Sequence, residues 1–188
     1  MRDDFNQILK KYPIIASVID NDGLEKACRS QVKLIFILYG NIINLPSLVK
    51  KAKDCGKTVL VHMDLIEGLD NKEIAARYIK EFTQADGIIS TKPNVIKAAR
   101  EEGLITVQRF FMLDSMALKK AIRHMEVTYA DAFEVLPGVI PKTINKISML
   151  SDIPIIAGGL IIDKNDVYSA FDSGAAAIST TFRSLWNL

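Results

Sequence analysis

Pro154-Ile-Ile-Ala-Gly-Gly-Leu-Ile161, followed by Ala177-Ile-Ser-Thr-Thr181, is the part of this chain that speaks most directly about its fold. The first apolar run ends in two glycines and the second in three hydroxyl residues. Gly158 and Gly159 lack a Cβ, so their backbone can approach an anion closely. Ser179 and Thr180, with Thr181, offer hydroxyls, and their amides stand at the start of whatever helix begins at Phe182. Read separately, Gly-Gly is a turn and Ser-Thr-Thr an N-cap. Read in this order near the chain end, they match the loops after strands 7 and 8 of a (β/α)₈ barrel, where a phosphate site commonly forms.

Working outward from that pair, short β-branched runs alternate with amphipathic segments eight times. The strand-like runs are Ile14–Asp20, Leu34–Gly40, Thr58–Asp64, Gly87–Thr91, Ile105–Phe111, Ala132–Leu136, Pro154–Leu160 and Ala176–Thr181. Among the helical segments, Leu45–Lys53 has Pro46 in its first turn and Gly56 past its end. Asn71–Phe82 repeats apolar residues at helical spacing. Asp114–Met125 and Asp163–Gly174 open on acidic residues suited to an N-terminus. Several strand runs are apolar on both faces, as when helices cover a parallel sheet. The reading is α/β, a compact (β/α)₈ TIM barrel forming one domain over residues 1–188. Eight units in 188 residues leave about 23 residues each, so the loops must be tight. Asp3–Lys11 is expected to be an extra helix below the barrel. The last helix is confined to Phe182–Leu188, an end that a homodimer partner is expected to cover.

Hydrophobic residues at 49% and charged residues at 24% describe an ordinary globular protein. No run reaches the roughly 18 apolar residues of a membrane span, and the polar start Met1-Arg-Asp-Asp-Phe5 is unlike a signal peptide. The chain is therefore expected in the cytoplasm, with Cys28 and Cys55 as reduced thiols and no metal site from them. A formal charge of +2 is below what a dedicated duplex-binding domain carries. Two local basic groups stand out nonetheless: Lys50, Lys51, Lys53 and Lys57, and Lys119, Lys120 and Arg123. Solvated helix faces account for both equally well.

Polar residues at the carboxyl ends of barrel strands converge on one site. Alternation puts His62 and Asp64 on one face above Leu60. Arg109 and Glu134 interrupt apolar runs on adjacent strands, and an acid so placed is costly to bury unless paired. Three readings fit this set: a structural ion-pair network, a binding surface for a phosphorylated polyol, and acid–base catalysis. Schiff-base aldolase chemistry lacks a lysine on a strand, since Lys92 falls just past one. A magnesium site from Asp20, Asp64 and Glu134 has no diagnostic spacing.

Val61-His-Met-Asp-Leu-Ile-Glu-Gly68, Asp86–Lys92, Val107–Ser115, Glu134-Val-Leu-Pro-Gly138 and Ile156–Ile161 together resemble the glycerol-3-phosphate-responsive antiterminators of bacterial glycerol uptake operons, from about Pro13 to Trp186. The resemblance implies a non-catalytic barrel with glycerol 3-phosphate as effector and no other cofactor. It implies binding to an mRNA leader and transcription antitermination of glycerol-metabolism genes. The phosphate would then lie against Gly158, Gly159, Ser179 and Thr180, and the glycerol end toward His62, Asp64, Arg109 and Glu134. The chain departs from the family pattern at Ile19, where a basic residue is usual, and at Thr181-Phe182. RNA binding rests on the resemblance alone; its candidate contacts are the two basic groups above. The alternatives are an isomerase or lyase acting on a small phosphorylated polyol or sugar, and a ligand sensor with a protein partner.

Overall fold

The computed structural model describes residues 2–70 and 72–188. Helix α1 (Arg2–Lys11) precedes eight strand–helix units. These are β1 (Ile14–Val18) with α2 (Asn21–Arg29), β2 (Leu34–Ile37) with α3 (Leu45–Asp54), β3 (Thr58–His62) with α4 (Glu73–Phe82), and β4 (Gly87–Ser90) with α5 (Pro93–Glu101). Then follow β5 (Ile105–Phe111) with α6 (Ser115–Met125), β6 (Ala132–Leu136) with α7 (Pro141–Ser148), β7 (Ile155–Gly158) with α8 (Lys164–Asp172), and β8 (Ala177–Thr180) with a 3-10 segment, Arg183–Asn187. All eight strands pair in parallel in sequence order, and β8 closes on β1, so the expected barrel is the observed one.

Two apolar clusters follow from the alternation of strand side chains. Ile14, Ala16, Val18 and their counterparts face outward and meet the helices. Ile15, Leu34, Phe36, Leu60, Ile89, Ile105, Val107, Ala132, Ile156 and Ala177 point into the barrel, and Phe5 and Leu9 of α1 complete this inner cluster. The opening helix thus plugs the barrel interior with two fully buried side chains.

Several strands stop earlier than their apolar runs suggest, because the next residues serve the following helix. Asp20 leaves β1 to cap α2, accepting from the Gly23 amide at 2.6 Å. Asp64 sits in a 3-10 turn, Met63–Leu65, instead of on β3. Asp114 and Asp163 cap α6 and α8 as their positions imply. Asn71, the expected start of the fourth helical segment, lies outside the described residues; α4 begins at Glu73. The terminal segment is 3-10 and covers itself: Leu185 and Trp186 are buried, and Trp186 Nε1 donates to Thr180 O at 2.9 Å.

Candidate functional site

Above the apolar layers, the barrel interior turns polar at the carboxyl ends of the strands. Register places Arg109 beside Glu134 and Gly158 beside Ser179. Parity puts His62, Arg109, Glu134, Gly158 and Ser179 inside, each directly above an inner-cluster residue two positions earlier. Arg109 Nε donates to Glu134 Oε2 at 2.6 Å, and Ser179 Oγ donates to Glu134 Oε1 at 2.5 Å. Glu134 is 1% exposed, a burial its charge tolerates because both oxygens are satisfied by these donors. The Nη nitrogens of Arg109 make no hydrogen bond among the described residues.

His62 is the unresolved group in this layer. It is 2% exposed, and neither ring nitrogen has a hydrogen-bond partner among the described residues. Burial, with Arg109 adding repulsion, pushes its pKa down to about 4 although Asp64 opposes the shift. At neutral pH the ring is uncharged and offers one donor and one acceptor. A buried ring with neither nitrogen paired is costly in a dry site, which sets His62 apart from the hydrogen-bonded groups around it.

Asp64 stands at the rim in a different setting. It accepts from Ser90 Oγ at 2.6 Å and from Thr91 N and Oγ1 at 2.9 and 2.6 Å. Burial raises its pKa, but the hydrogen bonds from Ser90 and Thr91 outweigh that and leave it below the ordinary carboxylate value. It is an ionised, held carboxylate. Nothing local in the sequence marks Ser90 as the partner of a residue 26 positions away.

The glycines and hydroxyls of the expected phosphate loop divide in role. A Cβ on Gly158 would collide with Ser179 Oγ and stand 2.8 Å from Glu134 Oε1, so this glycine makes room for the Ser179–Glu134 bond. Gly159 has φ +75° and Leu160 φ +62°, two successive left-handed residues at the exit of β7. Leu160 is a non-glycine held there and 69% exposed, local backbone strain of the kind concentrated at ligand-clamping sites. A Cβ on Gly159 would point at Leu136 Cδ2, 3.2 Å away, and not into the mouth. Thr180 corrects the sequence reading: by parity it faces away from the barrel interior. Its hydroxyl donates to Ile161 O at 2.8 Å and accepts from the Phe182 amide at 2.9 Å, which holds the β7 and β8 loops together.

The magnesium set is dispersed. Asp20 pairs with Arg183 at 3.2 Å, Asp64 with hydroxyls and Glu134 with Arg109, and the described residues contain no cluster of three His, Cys, Asp or Glu fit for a metal. Cys28 and Cys55 are free; burial and its neighbour Cys55 push the Cys28 thiol up to about 12.

The two basic groups also separate. Lys50 pairs with Asp54 and Lys51 with Glu25, each at 2.8 Å, and Lys53 with Asp86 at 2.6 Å. Lys57 is a correction: it is buried, and its Nζ donates to Ser30 O at 2.8 Å and Val32 O at 2.7 Å, so it cannot reach a nucleic acid. Lys119, Lys120 and Arg123 are exposed on α6, without an ion pair among the described residues.

Comparisons with known proteins agree with this fold. A family model described as "Glycerol-3-phosphate responsive antiterminator" matches residues 14–186. The uncharacterized protein YgcP of Escherichia coli (strain K12) is 40% identical over 181 residues, covering 96% of this chain and 95% of its own. The crystal structure of the glycerol uptake operon antiterminator regulatory protein from Listeria monocytogenes superposes with a TM-score of 0.89 at 36% identity, over 92% of this chain and 94% of that one. A glycerol uptake operon antiterminator-related protein from Thermotoga maritima gives 0.82 at 37% identity, over 92% and 96%. Orotidine 5'-phosphate decarboxylase from Pyrococcus horikoshii, at 18% identity and a TM-score of 0.70, shares the fold alone.

Proposed function

From the premise that the chain belongs to the glycerol-3-phosphate responsive antiterminator family, a family of regulatory proteins, we propose that it senses glycerol 3-phosphate at the barrel mouth. In the bound state it engages an mRNA leader in the cytoplasm to promote antitermination. The observation that carries the ligand half is the buried, unpartnered His62 ring beside the guanidinium of Arg109. A neutral imidazole with one donor and one acceptor suits a hydroxyl, which has both functions. A phosphate seated against the Gly159 turn and Ser179 lies within reach of the same layer. Arg109 and Glu134 form a pair with no net charge, so the phosphate would be held by hydrogen-bond donors and not by a net positive field.

The same features weigh against an isomerase or lyase. General acid–base work near neutral pH wants a pKa near the working pH, and His62 lies well below it. Both Glu134 oxygens are engaged, and Asp64 is held ionised by hydroxyl donors.

The test is calorimetry with glycerol 3-phosphate, glycerol and inorganic phosphate, followed by product analysis. The expected result is tight binding of glycerol 3-phosphate, weaker binding of either half, and recovery of the ligand unchanged. Chemical conversion of the ligand would move the chain to the enzyme class. A transcription assay across the protein's own glycerol-gene leader checks the regulatory half: read-through should rise with glycerol 3-phosphate. Ligand binding without any effect on read-through would point to a protein partner in place of RNA.

A further inference from the structure

We propose that the α6 face and the cavity beside it form a single-stranded RNA surface, with the cavity taking one unstacked base. This rests on the regulatory reading above but assigns it a place in the fold. Gln108 lies on β5 with outward parity, 1% exposed. Its Oε1 accepts from Thr128 Oγ1 at 2.9 Å, while its Nε2 has no partner. It lines a cavity of about 290 Å³ between the start of α5 and the end of α6, at the lower edge of ligand-sized pockets. Tyr129 and His124 line the same cavity. Tyr129 is half-exposed, and Lys97 Nζ stands 5.8 Å from its ring centroid. The half-exposed Tyr129 ring offers the cavity a π-face on which an unpaired base can stack, with the Lys97 ammonium near the same ring.

His124 also lines a neighbouring groove of about 820 Å³ along α6, so the cavity and groove share a wall. Lys119, Lys120 and Arg123 border this groove, exposed and without ion pairs among the described residues. Its carboxylate, Asp114, is turned into the first turn of α6, accepting from the Met116 and Ala117 amides. Cations along the groove and a base-sized cavity at its end match a backbone with one base turned inward. A duplex keeps its bases stacked and could not fill the cavity.

The experiment is fluorescence anisotropy with labelled oligo(A), oligo(C) and oligo(U) RNA, a hairpin duplex and free mononucleotides, in a salt series with glycerol 3-phosphate present. The triple variant Lys119→Ala, Lys120→Ala, Arg123→Ala should weaken every single strand alike and flatten the log–log salt slope by about 0.7 per lost contact. Tyr129→Ala should weaken binding about tenfold without changing the slope. Lys50→Ala with Lys51→Ala should bind as wild type. Thermal melting and calorimetry with glycerol 3-phosphate confirm that each variant is folded and retains its effector. Wild-type RNA binding in the α6 and cavity variants would overturn this surface and leave the regulatory reading intact. Equal affinity for the duplex, or for mononucleotides, would overturn the single-strand assignment. Absence of RNA binding by the wild-type protein at low salt would remove the RNA part of the regulatory reading and this surface with it.

Discussion

His62 is the side chain with the most to say about solution behaviour. Its folded pKa of about 4 lies below the ordinary value of 6.5, so the unfolded chain takes up the proton first as pH falls. Stability is therefore unaffected above about pH 6.5 and declines between there and about pH 4, by up to about 1.4 kcal/mol per pH unit. Asp64, whose pKa is also lowered, acts in the same sense but only once the pH falls through the carboxylate range. Thermal melts of wild type and His62→Phe across pH 7 to 4 should show a steeper decline for wild type; parallel curves would mean that the ring is not held neutral. Gly158→Ala tests the neighbouring contact. The new methyl must displace Ser179 or Glu134, so a stability loss of about 1–3 kcal/mol and weakened glycerol 3-phosphate binding are expected. A melting temperature and affinity like wild type would show that the Ser179–Glu134 bond has room to shift.

The helices and strands explain why similar residues end in different roles. On β8, Ser179 and Thr180 are chain neighbours with the same chemistry, yet one bonds Glu134 inside the barrel and the other ties two loops together. The segment from α3 to β3 shows the same division among lysines. Lys50, Lys51 and Lys53 ride the helix, whereas Lys57 comes after the turn at Gly56 and folds back on two carbonyls between α2 and β2. Lys57→Met should cost about 1–3 kcal/mol by leaving those carbonyls unsatisfied, with no effect on RNA affinity. Urea melts and the anisotropy assay check the two halves separately. A loss of RNA binding without destabilisation would restore Lys57 to the nucleic-acid surface.

For the barrel as a unit, the polar layer occupies the carboxyl ends of the strands, while α1 seals the interior apolar cluster. The sealed layer and the polar layer are separate along the barrel axis, so their perturbations should separate too. Phe5→Ala, which empties a fully buried position, should lower stability by about 3–5 kcal/mol. Under conditions where the variant remains folded, its glycerol 3-phosphate affinity should match wild type. Denaturant titration and calorimetry read the two quantities; a matching loss in affinity would mean that the plug shapes the mouth as well as supporting it.

Local pattern was enough for the architecture. Periods of two and of 3.6 residues, Pro46, and the acidic caps at Asp114 and Asp163 are properties of neighbouring residues. Eight repeats of that pattern left a closed parallel barrel as the consistent arrangement, and strand parity put Arg109 and Glu134 on the inside. The family resemblance was legible for the same reason, since its motifs are contiguous. Other features depend on contacts between distant residues. Ser179 and Glu134 are 45 residues apart, and their bond exists because β7 between them carries a glycine at the level where they meet. Lys57 looks like one more surface cation until folding brings Ser30 and Val32 over it. Gln108 reads as a polar interruption of β5 and becomes a buried, unpartnered amide only once α5 and α6 pack around it. Side-chain periodicity is set within a few residues of chain, so sequence reveals which way a residue points; its partner is chosen by barrel closure and strand register, which bring together residues that the chain keeps apart.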